Sequence, residues 1–226
     1  MISGFRDLYK NSTIAILGSG PSIGLYSEKE DIAISVNGAS LLTGKKYNFF
    51  LAGDVRAPER KWWLASKGLE NVVRVVSSYI APFDPILYPD EDVRNSILKK
   101  YNSFVELNPY INFVPEHIPE RPNAFFRFGG FGKEYVERIS RKQDLLYWGG
   151  TISSIALQFS IILGGEDIHL YGCGLDNHTG KNYHYPVHDN ERGGIENEQV
   201  EIMQATIDKI RGMKISISIH GESRIK

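Results

Sequence analysis

Between Asp176 and Arg192 the chain gathers His178, His184 and His188 with Tyr183, Tyr185 and Lys181. Imidazole moves protons near neutral pH, and phenol hydroxyls or an ammonium steady a departing phosphate, so this loop offers proton transfer beside leaving-group stabilisation. A zinc site and a plain polar loop are the alternatives for the same residues. Their spacing reproduces no closed four-ligand arrangement and no thiolate lies among them, so no metal is expected here.

A second candidate lies near the other end. Thr13-Ile-Ala-Ile-Leu17 is an apolar run of strand length that feeds into Gly18-Ser19-Gly20-Pro21-Ser22. Glycine reaches backbone angles closed to other residues, and a missing Cβ lets an anion approach the amides that open a helix. Pro21 suits the first helical position, where no amide donor is needed. The spacing G-x-G-P-S-x-G departs from the dinucleotide fingerprint, which also wants an acid after the second strand to hold a ribose hydroxyl. Here Ile32-Ala-Ile-Ser-Val36 is followed by Asn37. An amide at that tip argues against NAD and for the base, ribose or phosphate of another nucleotide. The competing reading of the glycines is a tight turn that binds nothing.

Elements must hold these residues together. Apolar runs of strand length recur at 13–17, 32–36, 47–52, 72–76, 168–171 and 215–219, with helical or irregular stretches between them. That rhythm predicts an α/β fold: a doubly wound, mostly parallel, Rossmann-like sheet covered on both faces. Residues 151–163 are apolar nearly all round, as in a helix buried against such a sheet, whereas 199–211 carries Val200, Met203, Ile207 and Ile210 on one stripe. Residues 77–128 break the pattern with prolines and aromatics, and only 91–101 reads as helical. This segment is expected to insert into a single nucleotide-binding domain spanning 1–226, as a lid or as an irregular crossover.

Ligands of open α/β sheets bind beyond the carboxyl ends of the strands. Besides the glycine turn and Asn37, those ends carry Asp54 and Arg56 after the third run and Asp176 after the fifth. Asp54 suits a divalent cation or a sugar hydroxyl, Arg56 a phosphate, and Asp176 a substrate hydroxyl or a metal-bound water. Helix caps and a solvated arginine are the plain alternatives.

With 226 residues, 42% of them hydrophobic and 23% charged, the chain can bury a core without disulfides. A net charge of −1 provides no general field for nucleic acid. The lone cysteine, Cys173, excludes an internal disulfide and sits in an apolar strand, so it reads as a reduced core residue of a cytoplasmic protein. No signal sequence opens the chain, and no apolar run reaches the roughly 20 residues that span a bilayer, so any membrane contact would be peripheral.

Taken together, the Ile-Leu-Gly-Ser-Gly-Pro-Ser turn, Ser-Val-Asn37, Gly149-Gly-Thr-Ile-Ser-Ser and Ile-His-Leu-Tyr-Gly-Cys-Gly-Leu-Asp176 resemble motifs of the bacterial sialyltransferases of glycosyltransferase family 42. They also resemble the related hydroxymethylpterin diphosphokinase-like family. The resemblance covers roughly 13–55 and 148–185 and leaves the middle of the chain uncovered. It implies a transferase that moves a sialic-acid-like sugar from a CMP donor to a glycan or small-molecule acceptor. Gly18, Ser19, Gly20, Pro21, Ser22, Asn37, Gly150 and Thr151 would hold the nucleotide. His188 or His184 would be the base, and Tyr183 with His178 would stabilise the leaving phosphate. No cofactor is needed for that transfer. The diphosphokinase likeness instead implies ATP and magnesium, with Asp54 and Asp176 facing the metal, and a non-catalytic nucleotide-binding protein is the third reading.

Overall fold

The computed structural model describes residues 2–41, 45–53, 57, 62–63, 66, 71–77, 123–126, 128–175 and 197–226. Seven of its strands form one sheet: β1 Thr13–Leu17, β2 Ile32–Val36, β3 Phe49–Ala52, β4 Val73–Ser77, β5 Asn123–Phe126, β8 Asp167–Tyr171 and β9 Ser216–His220. Two more, β6 Phe128–Phe131 and β7 Leu146–Trp148, pair with each other. The main sheet has the order β5-β4-β3-β2-β1-β8-β9, and every pairing in it is parallel. The chain thus winds outward from β1 in one direction, then returns to lay β8 and β9 on its other side. The reversal places a topological switch point between β1 and β8, and this is the α/β, Rossmann-like architecture that the alternating apolar runs predict.

Period-2 alternation divides the strand residues between the two faces of the sheet. Ile14, Ile16, Ile34, Val36, Phe49, Leu51, Ile168 and Leu170 point into the larger core, where α1 (Ile152–Leu163) and α2 (Asn197–Arg211) pack. Ala15, Leu17, Ala33 and Tyr171 face a smaller cluster with Ile23 and Tyr26, and Phe50, Ala52 and Val76 face Trp62 and Trp63. Residues Ser153 to Leu163 are all buried, which explains why α1 lacks a polar stripe, while α2 buries only Ile202, Met203, Thr206, Ile207 and Ile210. The loops after β1 and β2 form short 3-10 helices, Pro21–Leu25 and Asn37–Leu41.

Of the segment expected to insert at 77–128, residues 78–122, including the helix read at 91–101, lie outside the described residues. Its last part is sheet: Asn123–Phe126 pairs with β4 as the edge strand. The small β6–β7 pair is anchored by a polar residue in the apolar helix. Buried Gln158 accepts the Tyr147 amide at 2.8 Å and donates to the Tyr147 carbonyl at 2.7 Å, so one side chain occupies both backbone groups as a neighbouring strand would. Gln143 donates to the same carboxamide oxygen at 3.1 Å. Replacing Gln158 by leucine keeps the apolar surroundings but strands a donor and an acceptor. The expected loss is about 2–4 kcal/mol, measured by denaturant unfolding of Gln158→Leu against the parent.

Candidate active site

The switch point is built by three glycines that lock two turns together. The Gly18 amide donates to the Tyr171 carbonyl at 2.7 Å, and the Gly20 amide donates to the Gly172 carbonyl at 2.9 Å. In return the Gly172 amide donates to Ser22 Oγ at 2.9 Å. A Cβ on Gly18 would stand 2.4 Å from the Gly172 oxygen, and one on Gly20 would stand 2.7 Å from it. Gly172 has a φ of +67°, and its own Cβ would fall 2.4 Å from the Gly18 oxygen. The close approach that the glycines permit is therefore between two stretches of backbone. The amides of Gly18 and Gly20 are engaged by the β8 turn, and the helix whose opening amides were expected to meet an anion is a five-residue 3-10 helix started by Pro21.

Cys173 sits under this lock. It is fully buried, with its sulfur 3.4 Å from the Tyr171 oxygen and 3.7 Å from the Ile16 oxygen. Burial pushes its thiol up to about 11, although hydrogen bonds with Ser153 and the Gly18 amide pull the other way. A neutral thiol in such a place is packing, and the serine hydroxyl ties it to the first turn of α1.

Asn37 lies at the carboxyl end of β2, two strands from β8. Its φ is 47°, a left-handed conformation that asparagine tolerates better than other residues with a side chain. Its Oδ1 is buried and has no hydrogen-bond partner among the described residues. A buried acceptor of this kind costs free energy until a donor reaches it.

The first turn of α1 enters the same edge of the sheet. Thr151 is its N-cap, accepting the Ser154 amide at 3.3 Å, and the Gly149 amide donates to Ser154 Oγ at 3.2 Å. Gly150, at φ +78°, presents its carbonyl to Gln199 Nε2 at 3.0 Å, which fastens the start of α2 to the start of α1. Gly53, after β3, is walled by Ile152, Trp148 and Phe128; a Cβ there would lie 3.1 to 3.4 Å from them. The structure thus brings Gly18 to Ser22, Asn37, Gly150 and Thr151 to one edge of the sheet. Asp54, Arg56, Asp176, His178, Tyr183, His184 and His188 lie outside the described residues.

One cluster escaped the sequence reading. On the face of β8 away from α1, Asp167, His169 and Tyr171 alternate with the buried Ile168 and Leu170, a period-2 signal hidden inside a run read simply as apolar. His169 Nε2 lies 3.1 Å from Asp167 Oδ2, and its Nδ1 lies 2.9 Å from His220 Nε2 on β9. The Tyr171 hydroxyl donates to Glu30 Oε1 at 2.6 Å. Burial, then the charges of Glu30 and Glu28, pushes the nearby Tyr26 hydroxyl up to about 12, and burial with the Glu30 bond raises Tyr171 as well. Among the described residues no group of three His, Cys, Asp or Glu side chains is arranged to hold a metal ion, and no helix is long and apolar enough to cross a membrane.

No protein-family model matches the chain, and no curated protein matches it in sequence. Among solved structures the chain is similar to the sialyltransferase CstII from Campylobacter jejuni in complex with a substrate analogue, cytidine-5'-monophosphate. The two are 13% identical, the match covers 93% of this chain and 80% of that one, and the TM-score is 0.47.

Two outcomes check the lock. Gly172→Ala meets the Gly18 oxygen and must hold a left-handed φ, so it should lose about 2 kcal/mol or more in thermal or denaturant unfolding. Gly24→Ala, whose Cβ meets nothing within 4 Å, should be near neutral in the same assay. Separately, Cys173 in the folded protein should resist a thiol reagent at pH 8 and react only after denaturation, read as absorbance of the released chromophore.

Proposed function

We propose that the protein is a nucleotide-dependent transferase that moves a sialic-acid-like sugar from a CMP donor to a glycan or small-molecule acceptor. The observation that carries the nucleotide part is the Asn37 carboxamide: a buried oxygen, with no hydrogen-bond partner among the described residues, on a left-handed residue at the carboxyl edge of β2. A ribose hydroxyl or a base amino group supplies the missing donor, and the carboxamide NH2 can serve an acceptor on the same ligand. Its setting supports the reading, because the crevice beside a topological switch point is where open α/β sheets bind nucleotides.

The transfer part rests on the motif resemblance to family 42 sialyltransferases. In that reading the Gly18 to Ser22 turn, with Gly150 and Thr151, frames the nucleotide through atoms other than the two engaged glycine amides. His188 or His184 takes the acceptor proton, Tyr183 and His178 stabilise the CMP phosphate as it leaves, and Asp54, Arg56 and Asp176 contact the substrates. The bond broken joins the sugar's anomeric carbon to the CMP phosphate oxygen, and the bond formed joins that carbon to the acceptor oxygen. CMP departs as an anion, so stabilising its charge lowers the barrier.

Calorimetric titration with CMP, and with ATP plus magnesium as the contrast, tests this. CMP should bind, and Asn37→Asp should weaken it by about 1–3 kcal/mol, roughly 5- to 150-fold, because a carboxylate has no donor and repels the phosphate. Unchanged CMP affinity in folded Asn37→Asp would contradict the role of Asn37. Binding of ATP and magnesium without CMP would favour the diphosphokinase chemistry.

A further inference from the structure

The polar face of β8 and β9 stands outside this proposed chemistry. It places two imidazoles in contact beside the glycine lock. Asp167 Oδ2, 3.1 Å from His169 Nε2, accepts the proton on that nitrogen, which leaves His169 Nδ1 as an acceptor and makes His220 Nε2 the donor across 2.9 Å. One added proton is accommodated by reversing that bond. His169 then donates from Nδ1, and its charge lies between Asp167 and Glu30 Oε1, the latter 3.7 Å away. A second proton removes the last lone pair from between the rings. Two N–H groups then face each other and the hydrogen bond is lost.

The pair is wired to the switch point by short contacts. The His220 ring lies nearly parallel to Tyr171, with centroids 4.2 Å apart and planes 6° from each other. Tyr171 gives its carbonyl to Gly18, and the next residue, Gly172, holds Gly20 and Ser22. Gly221, following His220, packs so closely on Ser22 that a Cβ would fall 2.4 Å from the serine Cβ. We infer that the His169–His220 pair is a proton-operated clasp: it holds β9, and through Tyr171 and Gly221 the Gly18–Ser22 turn, while it carries at most one positive charge, and releases them when both rings are charged.

Among the described residues, the titratable and charged groups facing the pair are Asp167 and Tyr171 on β8 and Glu30 before β2, with Tyr26 beside Tyr171 and the Glu28–Lys45 pair, 3.6 Å apart, behind Tyr26. Burial first, and then the charge of His169, hold the His220 imidazole below its ordinary value, with Glu30 opposing them. A histidine depressed in the folded state leaves stability intact above its unfolded pKa of about 6.5 and draws it down as pH falls from there toward the folded pKa.

The test uses the full chain, wild type and His169→Gln. Glutamine can bond to both Asp167 and His220 yet never becomes charged, so the doubly charged state disappears. In wild type the melting temperature should fall from pH 7 to pH 5, and His169→Gln should flatten that fall. The His220 ring should titrate below its ordinary value in wild type by NMR, and move up in the variant. Superimposable melting profiles, independent single-site titrations of the two rings in wild type, or one zinc ion retained per purified chain would each overturn the clasp. Should His169→Gln not fold, the wild-type ring titrations decide alone. The functional arm rests on the nucleotide reading: CMP affinity should be lower at pH 5 than at pH 7.5 in wild type, and that difference should be much smaller in the variant. Absence of CMP binding at pH 7.5 would fail that reading, while the melting and ring titrations would still judge the clasp.

Discussion

Two backbone turns can touch at the centre of a parallel sheet only if neither carries a side chain at the contact. That constraint governs this protein. The Gly18 and Gly20 amides on one turn donate to the Tyr171 and Gly172 carbonyls on the other at 2.7 and 2.9 Å, an approach that a Cβ on Gly18, Gly20 or Gly172 would block. Ser22 closes the ring by accepting the Gly172 amide. The lock fixes how β1 and β8 end, and the switch point between them is where the sheet reverses its strand order.

Neighbouring parts serve that contact. Cys173 fills the space under it as a neutral thiol, and Ser153 ties the thiol to the start of α1. Thr151 caps that helix, Gly150 is held by Gln199 from α2, and Gln158 straps β7 alongside, so the helix start is fixed in position from several sides. Asn37 differs in kind. Its backbone is left-handed and its buried side-chain oxygen has no partner among the described residues, two local costs at the carboxyl edge of the sheet. Departures of this sort concentrate at sites shaped for a ligand.

Sequence alone made the centre of the sheet legible. β1 and β2 are largely β-branched and aliphatic runs, broken only by Ser35 and ended by glycine or asparagine, and both appear with the boundaries those runs predict. α1 and α2 follow equally directly from one continuous and one striped apolar pattern. The edge strand β5 and the β6–β7 pair did not show, because Asn123-Ala-Phe-Phe126 follows a proline-rich stretch and Phe128-Gly-Gly-Phe131 carries glycines that local propensity assigns to turns. Only their partners make them strands. The glycine turn shows the same limit at the site: its need for missing side chains was visible in the sequence, but its partner, Gly172, is some 150 residues away and could not be read locally. The polar face of β8 was hidden for a different reason, since alternate histidine and tyrosine inside an apolar run average to a buried strand.

Amide hydrogen exchange at Gly18, Gly20 and Gly172 tests the lock most directly, because each amide is a donor in it and exchange reports the free energy of opening bond by bond. All three should exchange as slowly as the central amides of β1 and β8, through global unfolding alone. Exchange of these three at the rate of exposed loop amides, with β1 and β8 still protected, would show that the turns do not hold each other and would remove the foundation of the site described above.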